Sequence, residues 1–446
     1  MTRSRHRILI IVQNLPVPLD RRVWMECLAL RAAGFEVSVI CPKGPGDPRR
    51  QVIEGVRIYK YAPPAAAEGL FGYLWEFVYC WVRTALLSVV VATREGFDAI
   101  QACNPPDTFW LLGRIWRLLG RKKFVYDQHD LNPEVFLSRF GEPQGLAARA
   151  QLAALRWLES MTYRCADHVV STNESYRAIA LDRGKRKPDS VTVVRSGPDT
   201  SVMRPVQPVE QLRGGRRYLA VYLGIMGPQD GVDQALKAFA RLVHDRGRTD
   251  CHFALLGFGD CLEELKELSA ELKLSDYVTF TGRVGPPEIA DYLSTADVGI
   301  CPDPKSPLND VSTMNKTMEY MAYCVPIVSF DLVETRVSAG ESAIYVESGD
   351  IDGFAREWER LLDDRDERVR LGELARQRVA SELDWAPQGA KYVDVWRGLL
   401  GDPAGGEPAK PRPAALALGD RAFIDLDDHA RLVSYIGDRG RAEQPA

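Results

Sequence analysis

Residues 298–329 read VGICPDPKSPLNDVSTMNKTMEYMAYCVPIVS, and this stretch decides the fold. A short apolar run at 298–301 leads into a polar loop, a helical pattern follows at 315–323, and a second apolar run occupies 326–329. Strands and helices that alternate in this way are typical of parallel α/β sheets. The stretch therefore predicts one strand–helix–strand unit of an α/β domain.

The same alternation extends over most of the chain and then restarts in its second half, which predicts two Rossmann-like domains. We expect strands at 7–12, 36–40, 56–60, 98–102, 123–126, 168–171 and 190–194, then at 218–224, 252–256, 277–281, 298–301, 326–329 and 343–346. We expect helices at 21–33, 107–119 and 147–165, then at 231–244, 263–272, 287–296 and 315–323. Prolines and glycines cluster at 201–215. The predicted domains are therefore 1–205 and 206–400, followed by a Pro/Gly/Ala-rich linker and tail at 401–446.

Composition limits the class of protein. The 446 residues are 46% hydrophobic and 26% charged, which excludes disordered and collagen-like chains. Residues 1–200 carry 28 basic and 20 acidic side chains, whereas residues 201–446 carry 29 basic and 41 acidic ones. The totals give no support to nucleic-acid binding, but a basic first half favours anionic partners such as phosphates or a membrane surface.

The spacing of the cysteines and histidines indicates the redox compartment and whether a metal site is expected. The nine cysteines never form a CxxC pair, so we expect reduced thiols in a cytoplasmic protein. The six histidines show no metal-ligand spacing, so no protein-bound metal is predicted. The apolar run at 8–12 is too short for a signal peptide, so we do not expect secretion.

Residues 70–92 are strongly apolar, with Glu76 and Arg83 as their charged side chains. The length would span a bilayer, but two charges seven residues apart lie on one face of a helix. We expect a core helix packed on a sheet. An interfacial helix lying on a membrane is the alternative, ahead of a true span.

Nucleotide fingerprints are missing from the sequence. There is no Walker A motif, and Gly257-Phe258-Gly259 is followed by Leu262 where GxGxxG needs its third glycine. Dehydrogenases and P-loop NTPases are thus disfavoured. In open parallel sheets ligands bind beyond the carboxyl ends of the strands, so we expect the chemistry on those loops.

Lys316 and Glu319 stand out in the first turns of the helix at 315–323. A lysine beside a helix N-terminus suits a phosphate, and a carboxylate among apolar neighbours suits a pair of sugar or ribose hydroxyls. The alternative is an ordinary Lys–Glu pair on a solvated helix face.

This block resembles the donor site of the retaining family 4 glycosyltransferases with the GT-B fold, whose pattern E-x7-E ends in a helix reading E-A/Y-M-A. Glu319 begins the matching EYMA, a Pro-Ile-Val sequence follows at 326–328, and Cys324 stands in the usual Gly position. The stretch KFVYDQHDLNPE at 123–134 resembles the family's strand before a catalytic-site histidine, here His129. The resemblance covers residues 5–400 and extends to ADHV at 166–169, SGPD at 196–199, FTGR at 280–283 and ADV at 296–298.

Three departures mark a subtype similar to glycosyltransferases of bacterial surface-polysaccharide clusters. Val311 stands where the first carboxylate of E-x7-E is usual, with Asn309 and Asp310 as adjacent polar candidates. The loop GIMGPQDG at 224–231 lacks the usual arginine and lysine, and PVPLDRR at 16–22 replaces the family's Gly-Gly loop.

The resemblance implies a role for each candidate residue, with His129, Glu319 and Lys316 as catalytic. The diphosphate is assigned to Lys316, Gln229, Arg22 and the amide of Gly227; the ribose to Glu319; the base to Arg283; the sugar hydroxyls to Asn309 and Asp310; the start of the donor helix to Asn315; and the transferred sugar to His129.

The implied function is a retaining glycosyltransferase that moves a sugar from a nucleotide-diphosphate donor, expected to be UDP-linked, to a glycan or polyprenyl-diphosphate-linked acceptor. The first domain would bind the acceptor and the second the donor, on facing sides of an interdomain cleft. The basic residues at 114–123 and the apolar segment at 70–92 predict peripheral contact with the inner face of the cell membrane. Two alternatives stay open: a GT-B UDP-sugar 2-epimerase, and a non-catalytic nucleotide-sugar-binding partner subunit.

Overall fold

A computed structural model describes residues 6–64, 69–403, 422–426 and 428–439. They form two compact units. The first unit contains the described residues up to Ser196 together with 386–403, and the second contains Gly197–Trp385 together with the described residues from 422 onward.

The first unit is an eight-stranded sheet in the order β3-β4-β2-β1-β5-β6-β7-β8, flanked by helices. Its strands are β1 (Arg7–Ile11), β2 (Glu36–Pro42), β3 (Arg50–Ile53), β4 (Val56–Tyr61), β5 (Ala99–Cys103), β6 (Lys123–Gln128), β7 (His168–Ser171) and β8 (Val191–Val193). Its helices are α1 (Arg21–Ala32), α2 (Gly69–Arg94), α3 (Trp110–Gly120), α4 (Asn132–Phe140), α5 (Gly145–Cys165) and α6 (Glu174–Asp182), with α14 (Trp385–Leu400) continuing from the second unit. All neighbouring strands are parallel except β3 and β4.

The second unit is a six-stranded parallel sheet in the order β11-β10-β9-β12-β13-β14. Its strands are β9 (Tyr218–Leu223), β10 (Cys251–Leu256), β11 (Val278–Gly282), β12 (Val298–Cys301), β13 (Ile327–Phe330) and β14 (Ala343–Val346). Its helices are α7 (Val232–Ala240), α8 (Leu262–Glu271), α9 (Pro286–Thr295), α10 (Asn315–Ala322), α11 (Val333–Ala339), α12 (Ile351–Asp363), α13 (Arg365–Arg378) and α15 (His429–Asp438).

Each sheet has one point at which the strand order reverses. In the first unit the chain leaves β1 for β2 on one side and later adds β5 on the other, and in the second unit β9 lies between β10 and β12 in the same way. Helices on either side of such a point lead away from each other, which opens a crevice at the strand ends. The loops after β1 and β5, and after β9 and β12, are therefore the places where ligand-binding side chains should gather.

Every predicted strand is present to within two residues at each end, and the α/β fold class is confirmed. Strand β3, an edge strand that pairs antiparallel to β4, was not predicted. Its side chains are exposed or half-buried along its whole length, so it carries no apolar run that would have revealed it.

The units divide at Ser196/Gly197 rather than at the predicted 205/206, and α14 belongs to the first unit rather than to a domain ending at 400. Packing gives the reason. The hydroxyl of Tyr392 donates to Oε1 of Gln101 at 2.6 Å, and the amide of Arg195 donates to Oε1 of Gln388 at 3.2 Å.

Helix α2 covers most of the apolar segment at 70–92 and is a core helix on one face only. Cys80, Thr84, Ser88 and Val91 are buried, as expected for packing on the sheet. The opposite face carries a stripe of exposed side chains at helical spacing: Trp75, Val78, Val82, Leu86 and Val89. By length and composition Trp75–Arg94 could cross a membrane, and 22% of its most apolar stretch is buried.

Candidate functional site

In the second unit the predicted donor residues gather at the switch point between β9 and β12. The loop 224–231 follows β9, and the loop 302–314 follows β12 and leads into α10. Gly231 has φ +66°, and a Cβ there would lie 2.1 Å from the carbonyl oxygen of Pro302. Only glycine allows the two loops to approach this closely.

Asn309 holds the same two loops together. Its side chain is 3% exposed, and its amide nitrogen donates to the carbonyls of Gln229 and Pro304, at 2.8 Å each. Asn309 was predicted to bind sugar hydroxyls, but one of its N–H donors joins the two loops and the other is used within the loop 302–314. Its neighbour Asp310 accepts from the amide of Val333 at the start of α11.

Lys316 forms the centre of the site. It is 8% exposed in the first turn of α10, and its Nζ donates to Oδ1 of Asp303 at 2.5 Å and lies 4.9 Å from the ring centroid of Tyr222. Burial alone would lower the pKa of this ammonium, but the Asp303 carboxylate outweighs burial and raises the pKa above its ordinary value. Lys316 is therefore a fixed positive charge at the strand ends.

Only one of the two carboxylate oxygens of Asp303 has a hydrogen-bond partner within the described residues. Its second carboxylate oxygen, Oδ2, is buried and lacks a hydrogen-bond partner within the described residues, and so does Oε1 of Gln229. Buried polar atoms without partners are uncommon in folded proteins. Gln229 lies in the loop after β9 and Asp303 in the loop after β12, so both atoms belong to the two loops beside Lys316.

The remaining donor-site predictions have mixed placements. Glu319 is half-buried one turn after Lys316, and Asn315 is exposed at the start of α10. The Gly227 amide, predicted to face the diphosphate, already donates to Oδ2 of Asp230 at 2.9 Å. Arg283 is exposed and stacks over the ring of Phe258 at 4.9 Å.

In the first unit His129 follows β6, beside the switch point between β1 and β5. Its Nε2 lies 2.6 Å from Oδ2 of Asp127, and its backbone amide donates to Oδ1 of Asn104, in the loop after β5, at 2.7 Å. Burial would lower the pKa of the imidazole, but the charge and hydrogen bond of Asp127 raise it to about 9. The Asp127 carboxylate therefore favours the protonated imidazole, in which Nε2–H donates to Asp127.

Arg22, which was predicted to bind the diphosphate, belongs to the same network. It is 7% exposed, and its guanidinium donates to Asp127 and to the carbonyl of Val194, each at 2.8 Å, and to the hydroxyl of Ser196 at 2.9 Å. A phosphate would have to displace these partners to reach it. Arg22 instead lowers the pKa of Asp127 against the opposing effect of burial.

Two further members of this network were not predicted. Gln101 donates from Nε2 to Oε2 of Glu26 at 2.7 Å and to Oδ2 of Asp127 at 3.0 Å. Desolvation raises the pKa of the buried Glu26 carboxyl. In the sequence Glu26 lies inside a predicted helix and Gln101 inside a predicted strand. The only sequence signal for either residue is a polar side chain within an element that is otherwise apolar.

Cys103, Asp127 and His129 also bring one ligand atom each to within 4.8 Å of one another. This spacing suits a metal ion, but Arg22 holds the other oxygen of Asp127, and a nearby guanidinium opposes a second cation. The residues present fit an ion-pair network better than a metal centre, and the expectation of no metal stays a prediction.

Two Rossmann-like units, the second with a buried lysine at its switch point, match the architecture of the GT-B class of enzymes. Family models agree: "Glycosyl transferase 4-like domain" matches residues 19–197 and "Glycosyl transferases group 1" matches residues 217–364, together well over half of the chain. The chain belongs to this family and is a glycosyltransferase.

Curated relatives and solved structures support the same class. A GDP-mannose-dependent alpha-(1-6)-phosphatidylinositol monomannoside mannosyltransferase of Mycobacterium tuberculosis is 29% identical over 376 residues, which cover 75% of this chain and 96% of the relative. A D-inositol 3-phosphate glycosyltransferase of Thermomonospora curvata is 25% identical over 344 residues, 71% of this chain and 78% of the relative. Sucrose-phosphate synthase of Thermosynechococcus elongatus superimposes with a TM-score of 0.70 at 20% identity, over 89% of this chain and 99% of that one. The non-catalytic partner subunit is accordingly no longer favoured.

Proposed function

We propose that this protein transfers a sugar, with retention of anomeric configuration, from a nucleoside-diphosphate sugar to a glycan or polyprenyl-diphosphate-linked acceptor in bacterial polysaccharide or glycoconjugate synthesis. The observation that carries the proposal is the buried Lys316–Asp303 pair at the β9/β12 switch point. An ammonium there can neutralise a diphosphate. The loop 224–231 contains no arginine or lysine that could do this in its place.

Lys316 is proposed to stabilise the leaving group. Its ammonium has three N–H donors, so it can keep Asp303 and still donate to a phosphate oxygen. When the bond between the anomeric carbon and the diphosphate oxygen breaks, negative charge grows on that oxygen. A fixed, buried ammonium stabilises this charge more in the transition state than in the bound donor.

Retention is proposed to follow a front-face route. The acceptor oxygen bonds to the anomeric carbon on the face that the diphosphate leaves, and the proton of the acceptor hydroxyl passes to the departing phosphate oxygen. No carboxylate nucleophile is needed, and the enzyme contributes positioning and charge stabilisation. Glu319 is proposed to accept from the ribose hydroxyls, and the protonated His129 to donate to the transferred sugar.

The base of the donor is proposed to be uracil, with the GDP-mannose-dependent relative as the reason to test guanine as well. Arg283 is the residue proposed to lie near the base. It is exposed and already stacked on Phe258, and such a flat cationic pair is a suitable platform for a planar ring.

The acceptor unit is proposed to sit at the cytoplasmic face of the cell membrane. The exposed stripe of α2 and the exposed Leu111, Ile115, Leu118 and Leu119 of α3 lie on helices that share one core cluster. Arg83 and Arg114 are exposed on the same two helices. Apolar side chains flanked by arginine are the pattern of a surface that enters the boundary of an anionic bilayer.

Donor turnover tests the transfer reaction. Wild-type protein is incubated with UDP- and GDP-sugars, with and without a polyprenyl-diphosphate-linked acceptor, and the product anomer is assigned by NMR. Transfer with retention, lost in Lys316→Met and Glu319→Gln but kept in the control Lys266→Met on α8, is expected. Inversion, or epimerisation of the donor without an acceptor, would refute the proposal.

Vesicle flotation tests membrane contact separately. Wild type is expected to float with vesicles containing anionic phospholipid, and Leu86→Glu is expected to lose this binding because it places a charge within the α2 stripe. Val52→Glu is the matched control, since Val52 is 60% exposed on the edge strand β3. Equal flotation of the two variants would exclude α2 as the contact face.

A further inference from the structure

The described tail, 422–426 and 428–439, packs on the second unit and lies outside both family matches. The amide of Ile424 donates to the carbonyl of Pro205, and Phe423 forms an antiparallel bridge with Val206. Helix α15 lies against α13 and ends at Asp438, and Arg439 follows it directly.

Arg439 reaches the end of the donor helix. Its side chain is 0% exposed, and its guanidinium donates to the carbonyls of Tyr323, at 3.2 Å, and Cys324, at 2.6 Å. These residues immediately follow α10, whose final carbonyls point out of the helix without an intrahelical donor. A buried cation at a helix C-terminus also complements the negative end of the helix dipole.

The turn after α10 needs such support. Cys324 has φ +57°, a left-handed conformation that glycine adopts readily and cysteine does not. The Ala322 carbonyl accepts from Arg376 at 3.0 Å, so two arginines, one from α13 and one from the tail, hold successive carbonyls of one turn.

Several contacts fix Arg439 in turn. The Tyr435 hydroxyl donates to the carbonyl of Ser294 at 3.0 Å, and Asp438 accepts from two nitrogens of Arg365, at 3.2 and 2.9 Å. The guanidinium of Arg439 also lies 4.6 Å from the centre of the Tyr435 ring. The tail therefore delivers Arg439 in one defined position.

We infer that Arg439 is a positioning residue for the donor site: the C-terminal tail clamps the end of α10 and thereby fixes Lys316 and Glu319. Helix α10 has eight residues, about two turns, so it moves as a rigid rod. Tilting its C-terminal end displaces Lys316 from Asp303 at the other end. The reading of these residues as donor ligands rests on the proposed function.

The experiment compares Arg439→Met with Arg439→Lys and with Arg431→Met, an exposed arginine on the same helix. Arg439→Met is expected to raise the donor KM and the Kd of the nucleoside diphosphate by on the order of tenfold, because small displacements of binding groups are costly. Arg439→Lys restores part of the loss, and Arg431→Met behaves as wild type. A lowered Tm with unchanged KM and Kd would overturn the inference, because it would leave Arg439 a merely structural role.

Hydrogen–deuterium exchange separates this inference from the proposed function. If the wild type neither binds nor turns over any nucleotide sugar, the proposed function fails, yet amides of 315–325 are still expected to exchange faster in Arg439→Met than in Arg431→Met. Equal exchange would overturn the clamp. If Arg439→Met does not fold, Arg439→Lys provides the same comparison.

Discussion

The Lys316–Asp303 pair offers the sharpest test of the donor site, because its two roles can be separated by substitution. Lys316→Met leaves the Asp303 carboxylate buried without its cation, 2.5 Å from the lost ammonium. Removing one partner of a buried ion pair costs about 3–5 kcal/mol. For a unit of this size, that loss should lower the Tm of the second unit by about 10 °C.

The double variant Asp303→Leu/Lys316→Met removes both charges. Apolar side chains of similar volume can replace a buried pair at little cost, so the Tm should largely recover. Donor binding and turnover should not recover, because no cation is left for the diphosphate. Losing one charge-stabilising donor typically reduces kcat by about 100- to 1000-fold.

Scanning calorimetry measures the Tm, titration calorimetry the binding of UDP and GDP, and a coupled assay the rate of transfer. Arg213→Met is the matched control, since Arg213 forms a buried pair with Asp297 away from the donor loops. It should lose stability and keep donor affinity. Recovery of donor binding together with Tm in the double variant would refute a role for Lys316 beyond packing.

Two further predictions follow from local geometry. The raised pKa of His129, about 9 against an ordinary 6.5, means that the folded state binds this proton more tightly; its stabilisation, roughly 3 kcal/mol, should be complete below about pH 6.5 and lost as pH rises through 9. The Tm of the first unit should therefore fall across that window in wild type and fall less steeply in His129→Gln, where the raised pKa of Glu26 still contributes, and parallel curves would contradict the assigned proton. Gly231→Ala should unfold or displace the donor loop, because its Cβ would meet the Pro302 carbonyl at 2.1 Å, whereas Gly247→Ala, at a similar φ of +69° with nothing within 4 Å, should cost only the backbone strain of about 1 kcal/mol. Equal Tm losses in the two glycine variants would show that the close approach of the loops is unimportant.

The sequence pattern predicted the positions of the strands and helices well, because each element depends on residues that are close together in the sequence. A buried parallel strand needs an apolar run, and an α/β domain repeats that run between helices, so β9 to β14 could all be predicted. Lys316 and Glu319 could be singled out for the same reason, as polar residues in a helix that is otherwise apolar. The edge strand β3 carries no such run and was missed.

The sequence pattern could not predict which residues, distant in the sequence, pair in the structure. Asp303 lies thirteen residues before Lys316, and its position as the lysine's partner depends on where the loop after β12 folds back. Arg22 was assigned to the phosphate because a solvated pair of arginines would be unfavourable at a helix N-terminus, so one of them was expected to face the cleft. In the structure, Asp127 from β6 and Val194 and Ser196, which follow β8, enclose its guanidinium.

The sequence by itself determined the two α/β domains, the GT-B class and the helix that carries Lys316 and Glu319, since hydrophobic periodicity and short motifs are local properties of a chain. The tertiary structure alone decided which charges pair. It paired Asp303 with Lys316, placed Arg22 in the His129 network, and brought Arg439 from the tail to the end of α10. The physical reason is desolvation: a charge taken out of water must find its partner in space, and sequence distance does not predict that partner.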